Sequence, residues 1–437
     1  MKKILIITFY WPPSGGSGVQ RWLYMSKHLA NMGYKVYIYT PENAVFQSYD
    51  YSLINDISDK LIIIKKKIKD PWYYFNKFFG KKIEIGQGFT IKSTVKNSFL
   101  KNIILKISLF IRANFIIPDP RVFWVKPSIR FLKKYIKNEN IDVVITTGPP
   151  HSMHLIGLKL KKKLNIQWIA DFRDPMSNID FIDELNPSKF SLYIIKKLEK
   201  EIFKNADILV TVSKNWANDF MNIYERNIVV IENGYEMESY SKINEQIKIN
   251  KFCLTHTGTL PYSRNPHSLW VALNKLIKEN PYDFRNNLKI VLPGIVDDRV
   301  INEIDNFELR SFTEIPGNLP HNEAIKIQLT SSILILPINN VGNFKGILTG
   351  KIYEYIASRR PILAIGPLNG EISSILKETK SGQLFDYKDI EGIYNFILKK
   401  YEEYMTSGIK FNNIANIYKY SRKFMAYKYS KIIESYL

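Results

Sequence analysis

The chain has 437 residues, 45% of them hydrophobic and 24% charged, with 20 prolines and 21 glycines. That length is too great for one ordinary core and favours two domains, while the composition excludes a disordered or low-complexity chain. The formal net charge is +21, and the single cysteine, Cys253, excludes an intramolecular disulfide and agrees with a reducing, cytoplasmic setting.

Lys2 and Lys3 followed by ILIITFYW imitate the start of a secretory signal. No small-residue cleavage site follows, and the sequence continues as a folded domain would, so no signal is expected. From Met1 to Thr40 it reads as an apolar strand, a glycine-rich turn (PPSGGSGV), an amphipathic helix (QRWLYMSKHLANMG) and a second strand (YKVYIYT). Strands feeding helices in this alternation build parallel sheets, whose ligands sit beyond the carboxyl ends of the strands. Gly15 and Gly16 would let a phosphate approach the backbone there.

Residues 60–140 carry 19 Lys and Arg against four Asp and Glu. Within them, Phe99 to Ile117 sets Lys101, Lys106 and Arg112 among large apolar side chains, the composition of a helix lying on anionic headgroups. A core helix with a solvated basic edge would read the same way. No nucleic-acid-binding motif accompanies the charge, so nucleic acid is not an expected partner. No run of about 18 apolar residues occurs, so no transmembrane helix is expected.

Beyond the basic region come a strand at Ile141 to Thr147, the turn GPPHS, a helix, the strand IQWIADF and the turn RDPM. His151 and His154 could share a helix face, but no carboxylate or cysteine completes a metal set. His151 is expected to be a loop histidine hydrogen-bonded to substrate or backbone. Asp171, Arg173 and Asp174 follow a buried strand on the ligand-binding side; a structural ion pair is the alternative to a catalytic role. A helix around Ser191 to Lys204, the strand ADILVTVS and the segment NIVVIENGYE complete the first half. The polar stretch Glu236 to Asn250 is the expected linker, giving domains 1–236 and 251–411 with a terminal helix at 412–437 that packs back.

The second half repeats the opening order: KFCLTHTGTL, a loop, SLWVALNKLIKEN and LKIVLPG. Arg264, six residues after Gly258, could grip a diphosphate with paired N–H donors. Gly346 and Gly350 precede a helix bearing Lys351 and Glu354. Exposed amides and a cation there would attract phosphate oxygens, and Glu354 could accept from two vicinal hydroxyls.

GGSGV, DVVITTGPPHS, DFRDP, ADILVTVS, IENGYE, HTGTL with Arg264, and KIYEYIASRRPILA together resemble a family 4 glycosyltransferase with the GT-B fold, over nearly the whole chain. The resemblance implies two Rossmann-like parallel-sheet domains facing across a cleft, the second holding a nucleoside diphosphate sugar and the first an acceptor. It implies that Arg264 binds the donor diphosphate and Glu354 the ribose. Three positions depart from the pattern. The first of the family's two glutamates falls at Gly346, the basic residue after the HTG glycine is Thr259, and the histidine near the reacting centre aligns close to Arg173. Lys351 would then share the phosphate charge with Arg264, while Gly15 and Gly16 close on it from the other domain.

The implied reaction is glycosyl transfer to a hydroxyl with retention at the anomeric carbon, in bacterial surface-polysaccharide synthesis. The implied partners are a nucleotide-sugar donor, a lipid-linked or saccharide acceptor and the inner membrane surface. Asp171 and Asp174 lack the spacing of a diphosphate-chelating Asp-any-Asp motif, and Asp297 and Asp298 are adjacent, so neither metal nor other cofactor is expected. The alternatives are a nucleotide-sugar epimerase of the same architecture and a non-catalytic, membrane-associated sugar-binding subunit.

Overall fold

The structure, a computed structural model, describes residues 1–46, 48–68, 83–85, 91–93, 107, 110–178, 186–241, 251–339, 348–408, 411 and 416–435. It divides into two compact units, Met1–Glu232 with Met425–Leu437, and Asn233–Phe424.

The first unit is built on seven parallel strands: β1 (Lys3–Ile7), β2 (Lys35–Pro41), β3 (Ile62–Lys66), β6 (Val143–Gly148), β7 (Gln167–Phe172), β8 (Ile208–Thr211) and β9 (Ile228–Val230). A separate antiparallel hairpin, β4 (Ile83–Ile85) and β5 (Ile91–Ser93), lies between β3 and β6 in the chain. The sheet order is β3-β2-β1-β6-β7-β8-β9. The central strands are near-continuous apolar runs because helices cover both faces of a parallel sheet. Ile4, Ile6, Val36, Ile38, Val143, Ile145 and Ile169 are buried in one cluster with Trp22, Leu23 and Leu29 of the helix Ser17–Asn31. The terminal helix Arg422–Ser435 adds Met425, Ala426, Tyr429 and Ile433 to that core, which is the expected packing-back helix.

The second unit carries β10 (Phe252–Thr255), β11 (Leu288–Val291), β12 (Thr313–Glu314), β13 (Ile333–Pro337), β14 (Ile362–Ile365) and β15 (Gly382–Phe385), ordered β12-β11-β10-β13-β14-β15 and all parallel. In each sheet the chain steps outward from its first strand on one side, then returns to the other. The reversal falls between β1 and β6 in the first unit and between β10 and β13 in the second. Such switch points open a crevice beyond the carboxyl ends of the strands, where ligands of open α/β sheets bind.

Candidate functional site

In the second unit, the segment leaving β10 turns at Gly258, whose φ of +100° favours glycine. Its carbonyl oxygen lies 2.3 Å from where a Cβ on Gly294 would stand, so both turns need glycine for their close approach. His256 fixes the segment across the switch point: Nδ1 lies 3.0 Å from the Ile335 carbonyl of β13. Burial, followed by the charge of Lys351, pushes this imidazole down to about 3, so it is neutral and serves as a peg.

Two cations converge on this turn. Arg264 donates from Nε to Asn339 Oδ1, beyond β13, and the Asn339 backbone carbonyl accepts from Tyr387. Lys351 opens the helix Lys351–Ser358, with Gly350 at its N-cap. No hydrogen bond or ion pair forms at the Lys351 ammonium among the described residues. Burial and then the neighbouring Arg264 push it down to about 8. Two like charges held together with a helix start form a site that favours an anion.

Glu354 lies one turn into the same helix. Its Oε1 is 3.2 Å from His321 Nε2, and Gln328 Nε2 donates to Oε2 at 3.4 Å. Burial pushes the carboxyl up, but His321, by hydrogen bond and charge, with Arg422 and Gln328, outweighs it and brings it down to about 2. Gln328 also donates to Thr257 Oγ1 at 3.1 Å and accepts from the Tyr240 hydroxyl at 2.8 Å, linking Glu354 to the Gly258 turn. Gly346 lies outside the described residues.

In the first unit, the expected catalytic trio separates by role. Asp171 is fully buried, and five donors saturate it: Arg21 Nε and Nη2 at 3.1 and 2.8 Å, Trp22 Nε1 at 2.9 Å, and the hydroxyls of Thr147 and Tyr429, both at 2.8 Å. Burial pushes its carboxyl up, but Arg21 beside it holds it below the usual range. Its oxygens are committed to tying the terminal helix, β6, β7 and the helix Ser17–Asn31 together, which leaves none for a substrate. Arg173 is buried as well and donates to the carbonyls of Gly148, Pro149 and Gly18, bridging the β1–β6 switch point. Gly18 permits this, since a Cβ there would lie 3.2 Å from Arg173 Nη1. Asp174 is half-buried and interacts electrostatically with Arg173.

His151 stands at the same rim, capping the helix Ser152–Leu164. It is buried, and among the described residues neither ring nitrogen has a hydrogen-bond partner; the pull of the Pro175 carbonyl falls short of that geometry. Burial, the largest effect, pushes it down to about 4 against the opposing pull of Asp119. The ring is neutral near pH 7, able to donate from one nitrogen and accept at the other but weak as a base. His154 is held by Thr146 and stacks on Phe172 at 4.0 Å between centroids. Gly16 has φ +89° and caps the helix Ser17–Asn31, while the Gly15 amide donates to the Ser48 carbonyl at 2.9 Å. Among the described residues, no three His, Cys, Asp or Glu side chains group closely enough to hold a metal ion, and no helix is long and apolar enough to cross a membrane.

The sequence reading passed over His256, Gly294, Gln328, Asn339, Gly18 and Arg21. His256, Gly18, Gly294 and Arg21 lie inside segments it quoted, HTGTL, GGSGV, LKIVLPG and QRWLYMSKHLANMG. Gln328 and Asn339 become neighbours of the site only through sheet order.

Residues 106–239 match the family model of Glycosyltransferase Family 4. None of the curated proteins matches the sequence. Among solved structures, HepE of Anabaena in complex with UDP and glucose is similar at 13% identity and TM-score 0.62, covering 100% of both chains. A TarM variant of S. aureus in complex with Fondaparinux, alpha-GlcNAc-glycerol and UDP aligns at 13% identity and TM-score 0.62, covering 99% of this chain and 100% of that one. Sucrose-phosphate synthase of Thermosynechococcus elongatus follows at 12% identity and TM-score 0.61, over 100% and 99%. At these identities the likeness concerns the fold. Residues 106–239 thus carry a Glycosyltransferase Family 4 match, and the two parallel-sheet units share the GT-B fold of these solved structures.

Proposed function

We propose that the protein transfers a glycosyl group from a nucleoside diphosphate sugar to a hydroxyl. The observation that carries this reading is the Arg264–Lys351 pair at the β10–β13 switch point, next to the Gly258 turn. Cleavage of the bond between the anomeric carbon and the diphosphate oxygen leaves negative charge on the diphosphate, while the acceptor oxygen bonds that carbon and its proton passes to an oxygen of the departing diphosphate. Cations held in place before the reaction bind the leaving group more tightly as the charge develops, which lowers the barrier. Arg264 and Lys351 supply that charge, with amides around Gly350 beside them. Glu354, ionised through the physiological range, accepts hydrogen bonds from the ribose hydroxyls after exchanging one of its present partners.

On the acceptor side, His151 offers a neutral imidazole with both nitrogens unused. It orients a hydroxyl rather than removing its proton, because a base near pKa 4 is too weak for that work at neutral pH. Asp171 and Arg173 hold the rim in shape without touching the reactants. Retention of anomeric configuration, metal independence and a lipid-linked acceptor in bacterial surface-polysaccharide synthesis complete the reading; the first rests on the family resemblance, the second on the spacing of Asp171 and Asp174, and the third on the basic, apolar stretch before Asp119. The solved neighbours that carry UDP make UDP-sugars the first donors to test.

The test is acceptor-dependent release of nucleoside diphosphate. A panel of nucleotide-sugars is first screened by thermal shift, since a ligand bound only by the native state raises its melting temperature. The stabilising donor is then incubated with and without saccharide and polyprenyl-diphosphate acceptors. Release only with an acceptor is the expected result; isomerised donor without release would replace transfer with epimerisation.

A further inference from the structure

The helical stretch 110–115 is turned inside out. At 100° per residue Phe110, Ile111 and Phe115 share one face, with Arg112 and Ala113 on the other. An amphipathic helix of a soluble protein buries the first set. Here Arg112 and Ala113 are 8% and 5% exposed, whereas Phe110 and Phe115 are 59% and 74% exposed, and Ile107 and Ile111 are exposed as well. Each large apolar side chain left in water forgoes about 1.5–3 kcal/mol of burial, so such a face calls for a cover.

A second element with exposed aromatic residues is tied to this stretch. Asn114 Oδ1 accepts from the Ser188 amide at 2.8 Å and the Ser191 hydroxyl at 3.0 Å, fastening the stretch to the start of the helix Lys189–Asn205. That helix exposes Phe190 (71%) and Tyr193 (61%). Its positions 190, 193, 197 and 200 follow helical spacing along one stripe, and Lys197 and Lys200 on it are exposed, as is Lys189 beside it. Aromatic residues at one end and ammonium groups along the rest form an amphipathic surface that complements an apolar layer capped by negative charge.

We infer that Phe110, Phe115, Phe190 and Tyr193, with Lys197 and Lys200, form a docking surface for an anionic lipid bilayer. The phenyl rings enter the boundary between headgroups and acyl chains, and the lysines lie on the phosphates. This deepens the transfer reading by naming the surface from which a lipid-linked acceptor would be met, and it rests on that reading only for the acceptor. The charge of the surface argues for lipid over a second copy of the chain, whose matching lysines would oppose it.

The experiment is co-sedimentation of the full-length protein with vesicles of phosphatidylcholine alone, or with about one-third phosphatidylglycerol, at low salt. Binding is expected to the anionic vesicles and not to the neutral ones, and to fall with added salt. The double variant Phe115→Ser/Phe190→Ser is expected to lose about tenfold or more in partitioning, and Lys197→Glu/Lys200→Glu a comparable amount. Both are expected to keep the wild-type affinity for UDP. Wild-type protein that stays in the supernatant with anionic vesicles, or a double variant that binds as well as wild type, overturns the inference. So does a wild-type dimer that the phenylalanine variant converts to monomer in light scattering. Vesicle binding without UDP binding would instead count against the transfer reading and leave the surface standing.

Discussion

Lys351 lies against the side of the Gly258 turn where any other residue would carry its Cβ: that point is 2.8 Å from Lys351 Cε and 3.1 Å from Nζ. A methyl group there must displace the lysine chain while straining a backbone of φ +100°. Gly258→Ala is therefore expected to cost about 1–2 kcal/mol of stability, read as a melting point lower by roughly 2–8 °C. It should also weaken UDP binding. Wild-type affinity with a lower melting point would separate Lys351 from the anion site.

Lys351, held near 8, loses its charge as the pH rises through that value. Its folded-state pKa is depressed, so the ligand-free ammonium is fully present only below about pH 7. Affinity for UDP is expected to fall by up to about tenfold per pH unit above 8, and the Lys351→Ala protein should show a flat profile there. Titration calorimetry between pH 6.5 and 9.5 checks this; an equal slope in both proteins would assign the effect to another group.

Glu354 is assigned to the ribose and Arg264 to the diphosphate, so the two should respond differently to truncated ligands. Glu354→Ala is expected to weaken UDP by about 1.5–3 kcal/mol, the worth of hydrogen bonds to a charged group, and to leave inorganic pyrophosphate affinity unchanged. Equal losses for both ligands would point to general collapse of the helix start.

Asp171 anchors the first unit. Asp171→Asn leaves the buried Arg21 without its counter-charge and should cost about 3–5 kcal/mol. Tyr429→Phe, the milder variant, removes one hydrogen bond to Asp171 and should cost about 1–1.5 kcal/mol with turnover per folded molecule unchanged. A fall of a hundredfold or more in turnover for Tyr429→Phe, at wild-type stability, would return Asp171 to the chemistry.

The central strands were legible because their apolar runs are long and end in turn residues: Ile141 to Thr147, IQWIADF and LKIVLPG reappear as β6, β7 and β11. The edge strands β3 and β15 were not. Ile62–Lys66 is largely exposed and sits in a basic tract, and Gly382–Phe385 buries only Phe385, so neither carries the hydrophobic signal of a covered strand. The same logic divides the site. Arg264, Lys351 and Glu354 stand out through glycine and helix-start spacing. Asn339 belongs to the site, and His256 finds its Ile335 partner, only because β13 lies beside β10, a neighbourhood created by the chain's return across the sheet. The pairing of Asp171 with Arg21, 150 residues apart, leaves no local trace.

The most direct test is the turnover of Arg264→Ala with the stabilising donor and a competent acceptor. Loss of one donor that stabilises developing charge costs about 10²–10³ in turnover, and the account predicts a fall of that size in a protein that still melts cooperatively. Turnover equal to wild type would remove Arg264 from the leaving-group site and contradict the assignment on which the mechanism stands.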